Sequence, residues 1–426
     1  MQISSELANT IIDPKAYAAW DPVHEAFKYL RENAPVAKAS PENFGDFWVV
    51  TRYEDIQFVE KNMNGLFHCG DRSSTLVPLS TEAFMREMTG GMPSLIRSLV
   101  QMDNPDHVKL RQLTQAWFMP QNLRKNLEER VRAIAKAFVD QMLEMDGECD
   151  FAKDVAFLYP LHVIMEVIGV PKADEPRMLM LTQQLFGGSD AELNRSGGEE
   201  MTADQANEML AAIVDDFNSY FTAMSDDRRE NPREDLATVI ANAQIDGEPI
   251  KFMDAMGYYI IAATAGHDTT SASTAGAMIE AAKNPQIFKR MKEDPSLVSG
   301  FIEEAIRWET PVKHFMRTAT EDTEVGGQKI AKGDYLYASY TSANRDEAVF
   351  DDAFTFNPER SPNRHLAFGY GPHVCLGQHL ARLEMRCIWE ELLRRVDSVE
   401  LTGEPKRMDA AFVCGPKSVP IRFKAA

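Results

Sequence analysis

The sequence predicts a mainly α chain with a minor β portion, organised as one unit over residues 1–426. Three observations carry that reading. From Asp103 onward, apolar residues recur at helical spacing in block after block, punctuated by Pro, Asn and Gly. The longest block, Lys251–Lys283, is apolar on nearly all sides up to Ala265, the pattern of a helix buried in a core. Strand-like runs are confined to Phe47–Thr51 and to the stretch after Pro311.

In chain order, Asp21–Asn33 reads as a short helix, Phe47–Thr51 as a strand and Arg52–Lys61 as helix again. Between Asn62 and Leu99 the pattern is broken by Gly65, Gly70, Pro78, Gly90, Gly91 and Pro93, which predicts a long functional loop. Asp103-Asn104-Pro105 opens a helix that reaches Phe118. Pro120 ends it, and Asn122 caps the next, which runs to Met145. Helices over Asp154–Ile168 and Pro171–Phe186 follow, then a polar loop Gly187–Glu200, then a helix Ala203–Met224. Asn284-Pro285 stops the long helix, and Pro311 ends another over Pro295–Trp308. Val312–Ser342 carries short strands, with turns at Gly326-Gly327 and Lys332-Gly333. Irregular chain leads to Arg364, a last long helix covers Leu376–Arg395, and a strand pair closes the chain.

The bulk composition narrows the function. The hydrophobic fraction of 44% and charged fraction of 26% are those of a globular protein. A net charge of −20 repels phosphate backbones and anionic lipid, which argues against nucleic acid as a partner. Cysteines 69, 149, 375, 387 and 414 are odd in number and contain no CxxC, so neither a disulfide framework nor a structural zinc site is expected. A reducing cytoplasm fits that usage. The first residues lack the charged-then-apolar pattern of a secretory signal, and no apolar run is long enough for a bilayer, so a soluble cytoplasmic protein is expected.

The most specific motif is Phe368-Gly369-Tyr370-Gly371-Pro372-His373-Val374-Cys375-Leu376-Gly377, which fits F-x-x-G-x-H-x-C-x-G at each fixed position. Glycines at 369, 371 and 377 permit tight turns and a close approach to a flat ligand. Cys375 stands at the start of the final helix, where the helix dipole favours a thiolate. The bland alternative is a buried free cysteine in a glycine-rich turn. A second motif, Ala265-Gly266-His267-Asp268-Thr269-Thr270, interrupts the long apolar helix. An acid beside a hydroxyl costs stability there unless both are used, and Gly266 is a poor helix former. Together they predict a helix locally opened over a ligand. Read alone, the pair is also compatible with a hydroxyl bonding back to the preceding turn.

At these residues the chain resembles the cytochrome P450 superfamily, and the resemblance spans His24 to Phe423. It implies that fold, with a haem (heme b) held between the long helix and the final helix. In the family the loop cysteine, here Cys375, ligates the iron and its thiolate favours O–O cleavage. Phe368, Gly369 and Gly377 are then cofactor-binding. Ala265 and Gly266 leave room for dioxygen, Thr269 bonds the bound oxygen, and Asp268 helps relay protons. His267 falls at the variable position. Glu304 and Arg307 match the family's E-x-x-R and join an arginine from the following irregular segment, best matched by Arg360, with His365 the alternative. His107, Arg111, Arg317 and His373 match propionate ligands; a solvated surface charge is the plainer reading of each.

Several stretches, among them Tyr159–Val163 and Pro362–Met385, are similar to a soluble bacterial member that hydroxylates the monoterpene alcohol α-terpineol. The resemblance implies a small apolar substrate (monoterpenoid or alkyl-aromatic), dioxygen, and electrons from NAD(P)H through a reductase and a [2Fe–2S] ferredoxin. Family position assigns Leu185, Ala265, Val312, Phe315, Val413 and parts of the 62–99 stretch to the substrate lining, with core packing the alternative. Lys109, Arg111, Arg364, Arg382 and Arg386 form an expected basic docking patch for the donor. Two other readings are a peroxide-driven relative, which would typically lack the acid–alcohol pair, and a non-catalytic haem sensor, for which no output module is visible.

Overall fold

The structure, a computed structural model, describes residues 1–186, 190, 192 and 202–426. Helices dominate it, and most are those that apolar spacing predicts. Asp21–Asn33 forms as expected, but two shorter helices, Ser5–Ile12 and Pro14–Ala19, precede it. Their start signals are ordinary: Ser4 Oγ accepts from the Leu7 N–H and the Asp13 carboxylate from the Lys15 N–H. The 62–99 stretch is not one loop. Phe67–His68 joins a sheet, and Leu79–Thr89 is a helix that ends at left-handed Gly90. Its start hides behind Pro78, which only precedes the first turn and so breaks nothing. Glu82 also pairs with Arg86 one turn on, at 2.8 Å.

Further along, the helix from Asp106 tightens to a 3₁₀ turn at Ala116–Phe118. Single π turns, Leu123–Leu127 and Ala152–Ala156, lead into Glu128–Leu143 and Leu158–Ile168. Glu175–Phe186 follows, and Ala203–Glu230 runs beyond the expected end. The expected loop at 187–200 lies outside the described residues except for Asp190 and Glu192. The long block divides into Phe252–Ala265 and Asp268–Lys283, with Gly266 and His267 between them. The final helix is Gln378–Arg395. Among the described residues no helix is long and apolar enough to cross a membrane.

The β portion is small but decisive for placement. Five strands lie in the order Val36–Ala39, Phe47–Val50, Tyr335–Ser339, His314–Ala319, Phe67–His68. Trp48 opposes Leu336 in the one parallel pair of this sheet; the other pairs are antiparallel. Both faces are buried. Leu336 and Ala338 point to a core shared with Ile56 and Val59, while Tyr335 and Tyr337 point to one shared with Ile11, Tyr17 and Phe27. The strand pair expected at the end of the chain is present as Val396–Leu401 and Pro420–Ala425, with Glu148–Asp150 as a third member.

A buried carboxylate fixes the irregular chain between sheet and final helix. Glu304 is fully buried and accepts from Arg307 at 2.7 and 2.8 Å, from Arg360 at 3.1 and 3.2 Å, from the Asn357 N–H at 2.8 Å and from Asn363 at 3.0 Å. Arg307 donates onward to the carbonyls of Asn344 and Ala353. Arg360 is thus the partner, and His365 pairs with the neighbouring Glu303 instead, at 3.2 Å. Removing one member of such a set strands buried charge. Glu304→Ala is therefore expected to destabilise the haem-loaded protein by about 3–5 kcal/mol, read from denaturant unfolding. A loss below about 1 kcal/mol, the range of exposed pairs, would contradict this account.

Candidate active site

The cysteine loop is held by backbone bonds rather than by regular structure. The Leu366 N–H donates to Asn344 Oδ1 at 2.7 Å, and the Gly369 N–H to the Leu366 carbonyl at 2.9 Å. The Cys375 N–H donates to the Phe368 carbonyl at 2.8 Å, which closes the loop. Gly369 and Gly371 take φ of +70° and +66°, and a Cβ at Gly371 would lie 2.4 Å from the Glu60 carbonyl oxygen. Gly377 needs no left-handed backbone. It sits beside the sulfur, where an added Cβ would lie 4.0 Å from Cys375 Sγ. Burial pushes the Cys375 thiol up. The Gly377 N–H, the Arg111 and Arg382 guanidinium groups and the Gln378 N–H act in the opposite sense, favouring thiolate.

Across from the sulfur lies the interrupted helix. A Cβ at Gly266 would meet Ile164 Cγ1 at 2.7 Å and the Ala262 carbonyl oxygen at 2.9 Å, so the residue is glycine for closeness, not for φ. Ala265, directly after buried Ala263 and Thr264, is exposed, and it lines a cavity. Thr269 donates its hydroxyl hydrogen to the Ala265 carbonyl at 2.7 Å, the backward bond that the residues alone allow, and lines the same cavity. Asp268 is buried behind it. Its Oδ1 lies 3.5 Å from His267 Nδ1, and its Oδ2 has no hydrogen-bond partner among the described residues.

The cavity has a volume of about 660 Å³ and is bounded by Cys375 and Phe368 on one side and Ala265 and Thr269 on the other. Its size lies within the range of small-molecule sites. Gly266, Gly369 and Gly377 also border it. Leu185, Val312, Phe315 and Val413 line it too, and Val312 bridges Val413. At its far end stand Ile11, Ile12, Pro14 and Phe44, which no motif marks. The available signal was the apolar face of Ser5–Ile12, and a face alone does not say what it covers.

His107, Arg111 and His373 border the cavity beside the cysteine loop. The His107 and His373 rings stack with centroids 4.0 Å apart. Both nitrogens of His107 are buried without a partner, and burial lowers its pKa to about 4. Arg111 donates to the Val374 carbonyl at 2.8 Å and has no carboxylate partner among the described residues. Unspent donors at the cavity edge and a sulfur in its wall fit a haem with two carboxylates.

Arg317 does not join them. Its guanidinium lies behind the cavity wall, 2.9 Å from Glu60, whose other oxygen accepts from Tyr340. Glu60 supplies the carboxylate that a desolvated guanidinium needs, while Arg317 Nε is buried with no hydrogen-bond partner among the described residues. The five cations expected to form a docking patch lie as follows. Lys109 pairs with Asp246, Arg382 with Glu303 at 2.6 Å and Arg386 with Glu128 at 3.0 Å, while Arg111 points inward and Arg364 stays exposed. The other four cysteines form no disulfide. Cys69 is the one near the site, its sulfur 3.4 Å from Asp103 and 3.9 Å from His373.

This arrangement of a glycine-turned cysteine loop facing an opened helix is a haem-thiolate site, and the chain belongs to the cytochrome P450 family, whose model it matches over residues 80–423. It is an oxygen-inserting enzyme of the monooxygenase class. It is 46% identical over 424 residues to Cytochrome P450-terp of a Pseudomonas species, covering 100% of this chain and 99% of that one. It is 30% identical to Linalool 8-monooxygenase of Pseudomonas putida, covering 96% and 97%. Its fold matches the crystal structure of CYP108D1 from Novosphingobium aromaticivorans with a TM-score of 0.92, 49% identity and 100% coverage of both chains.

If His107 and Arg111 hold the carboxylates of the haem, the double variant His107→Ala/Arg111→Ala should surrender haem to a haem-free globin at least ~10-fold faster, since each charged hydrogen bond contributes about 1.5–3 kcal/mol. Loss at the unmodified rate would remove both residues from that role.

Proposed function

We propose that the chain hydroxylates a small apolar molecule, a monoterpenoid or alkyl-aromatic hydrocarbon, with electrons passed from NAD(P)H through a reductase and a [2Fe–2S] ferredoxin in the cytoplasm. One observation carries the reading: Cys375, Ala265 and Thr269, from two separate motifs, border a single cavity that Leu185, Val312, Phe315 and Val413 also line. The haem, when bound, activates dioxygen so that one atom enters a C–H bond and the other leaves as water, with two electrons and two protons consumed.

The residues then divide the work. Cys375 Sγ holds the iron, and the Gly377 N–H and the Arg111 charge favour its thiolate form. Ala265 contributes space because its side chain ends at Cβ. Thr269 Oγ1, its proton engaged on the Ala265 carbonyl, keeps its lone pairs free to accept a hydrogen from a proton donor in the cavity. Asp268 Oδ2, buried and unpartnered, is the site from which a proton passes toward Thr269. Leu185, Val312, Phe315 and Val413 exclude water and grip apolar surface. The acid–alcohol pair favours dioxygen over peroxide as the oxidant. Linalool, named for one relative, and α-terpineol, implied by the resemblance, are the first substrates to try.

Reduced protein exposed to carbon monoxide should show the red-shifted Soret band of a thiolate-bound ferrous haem, and Cys375→Ala should lack it. An undiminished band in that variant would end the assignment. Titration with α-terpineol, linalool or cumene should move the ferric haem toward high spin as water is displaced. Absence of any shift with all three, beside a shift with long-chain fatty acids, would overturn the substrate class and leave the reaction class standing. Thr269→Ala should bind the same ligand normally but divert most of the electrons to hydrogen peroxide, a loss of roughly 10-fold or more in product.

A further inference from the structure

His267 sits in the break of the long helix, fully buried, at a position the oxygen chemistry described above does not use. Its surroundings are specific. Nε2 lies 2.8 Å from the carbonyl oxygen of Phe157, which only accepts, so Nε2 carries a hydrogen and donates it. That bond fixes the ring plane and leaves Nδ1 facing two groups, Thr182 Oγ1 at 3.0 Å and Asp268 Oδ1 at 3.5 Å. Thr182 Oγ1 also lies 3.0 Å from the Leu179 carbonyl, so its one hydrogen serves either that carbonyl or Nδ1. Asp268 follows His267 directly and opens the second helix; the packed elements present the hydroxyl of Thr182 from Glu175–Phe186 and the Phe157 carbonyl from the turn before Leu158–Ile168.

We propose that His267 is a positioning residue for Asp268. It turns Oδ1 toward Nδ1 and leaves Oδ2 to exchange protons on the Thr269 side, with Thr182 keying the ring. The inference rests on the reading of Asp268 as the proton donor and adds the device that aims it. Thr182 stands one helical turn before the cavity-lining Leu185, so the helix that grips substrate also holds the group that sets the carboxylate.

The test uses the haem-loaded enzyme. In the diamagnetic ferrous carbonyl form with ¹⁵N-labelled histidine, Asp268→Asn and Thr182→Val should each move the His267 Nδ1 resonance and leave Nε2 in place. With ferredoxin, reductase and α-terpineol, His267→Phe should raise the solvent deuterium isotope effect on oxygen reduction and lower product per NADH by on the order of 10-fold, with the carbon monoxide band intact. His267→Gln, which keeps a polar group at the site, should recover most of the coupling. An Nδ1 resonance unmoved by Asp268→Asn, or His267→Phe with unaltered isotope effect and coupling, overturns the proposal. If His267→Phe loses haem, Thr182→Val carries the kinetic test with the same expected direction, and unaltered kinetics there overturn it too. Unaltered kinetics in Asp268→Asn instead remove the proton-donor reading itself, whereas a defect in Asp268→Asn without one in His267→Phe removes this inference alone.

Discussion

Glu304 is the constraint on which the rest of the molecule depends. The segment that carries Cys375 follows some thirty residues with little regular structure, and irregular chain has no ladder of its own to keep it rigid. One carboxylate, shut away from solvent, draws Arg307, Arg360, Asn357 and Asn363 to a point and so ties that chain to the helix Leu297–Glu309. Asn344, held near the same point, gives its Oδ1 to Leu366 at the entrance of the cysteine loop. The sulfur is therefore positioned by a chain of buried polar bonds that begins well away from it. Networks of this kind hold a geometry only when every member is satisfied.

The opposite wall follows another logic. A helix that is apolar on all sides packs well but presents no chemistry, and Phe252–Lys283 gives up regularity at the place where it meets the cavity. Gly266 lets Ile164 approach, His267 replaces lost helical bonds with side-chain bonds to neighbouring elements, and Asp268 and Thr269 bring polar groups to a dry site. The local loss of helical bonds is offset by contacts that only the folded neighbours can supply.

Charge is distributed by the same rule. The chain carries an acidic excess, and Lys109, Arg382 and Arg386 are each paired with a carboxylate, as Arg382 is with Glu303. What distinguishes the cavity edge is the reverse condition, His107 and Arg111 in no ion pair with an acid among the described residues. Arg317 shows how narrow the distinction is: the same residue type, in the strand beside the site, is claimed by Glu60.

The sequence by itself determined the helical class, most helix positions, the cysteine loop and the opened helix, because each depends on local periodicity, turn chemistry or fixed spacing that a linear reading preserves; the Glu304–Arg307 pair was marked by the family resemblance, since its spacing recurs elsewhere in the chain. It left unseen the helix Leu79–Thr89, concealed by the glycines and prolines around it, and the two helices before Trp20. Only the tertiary structure decided between Arg360 and His365, gave Arg317 to Glu60, paired the basic patch with acids and set Ile11 and Phe44 at the end of the cavity. Those outcomes turn on which side chains from distant segments compete for one buried charge or one apolar surface. Distance along a chain carries no record of that competition; packing does.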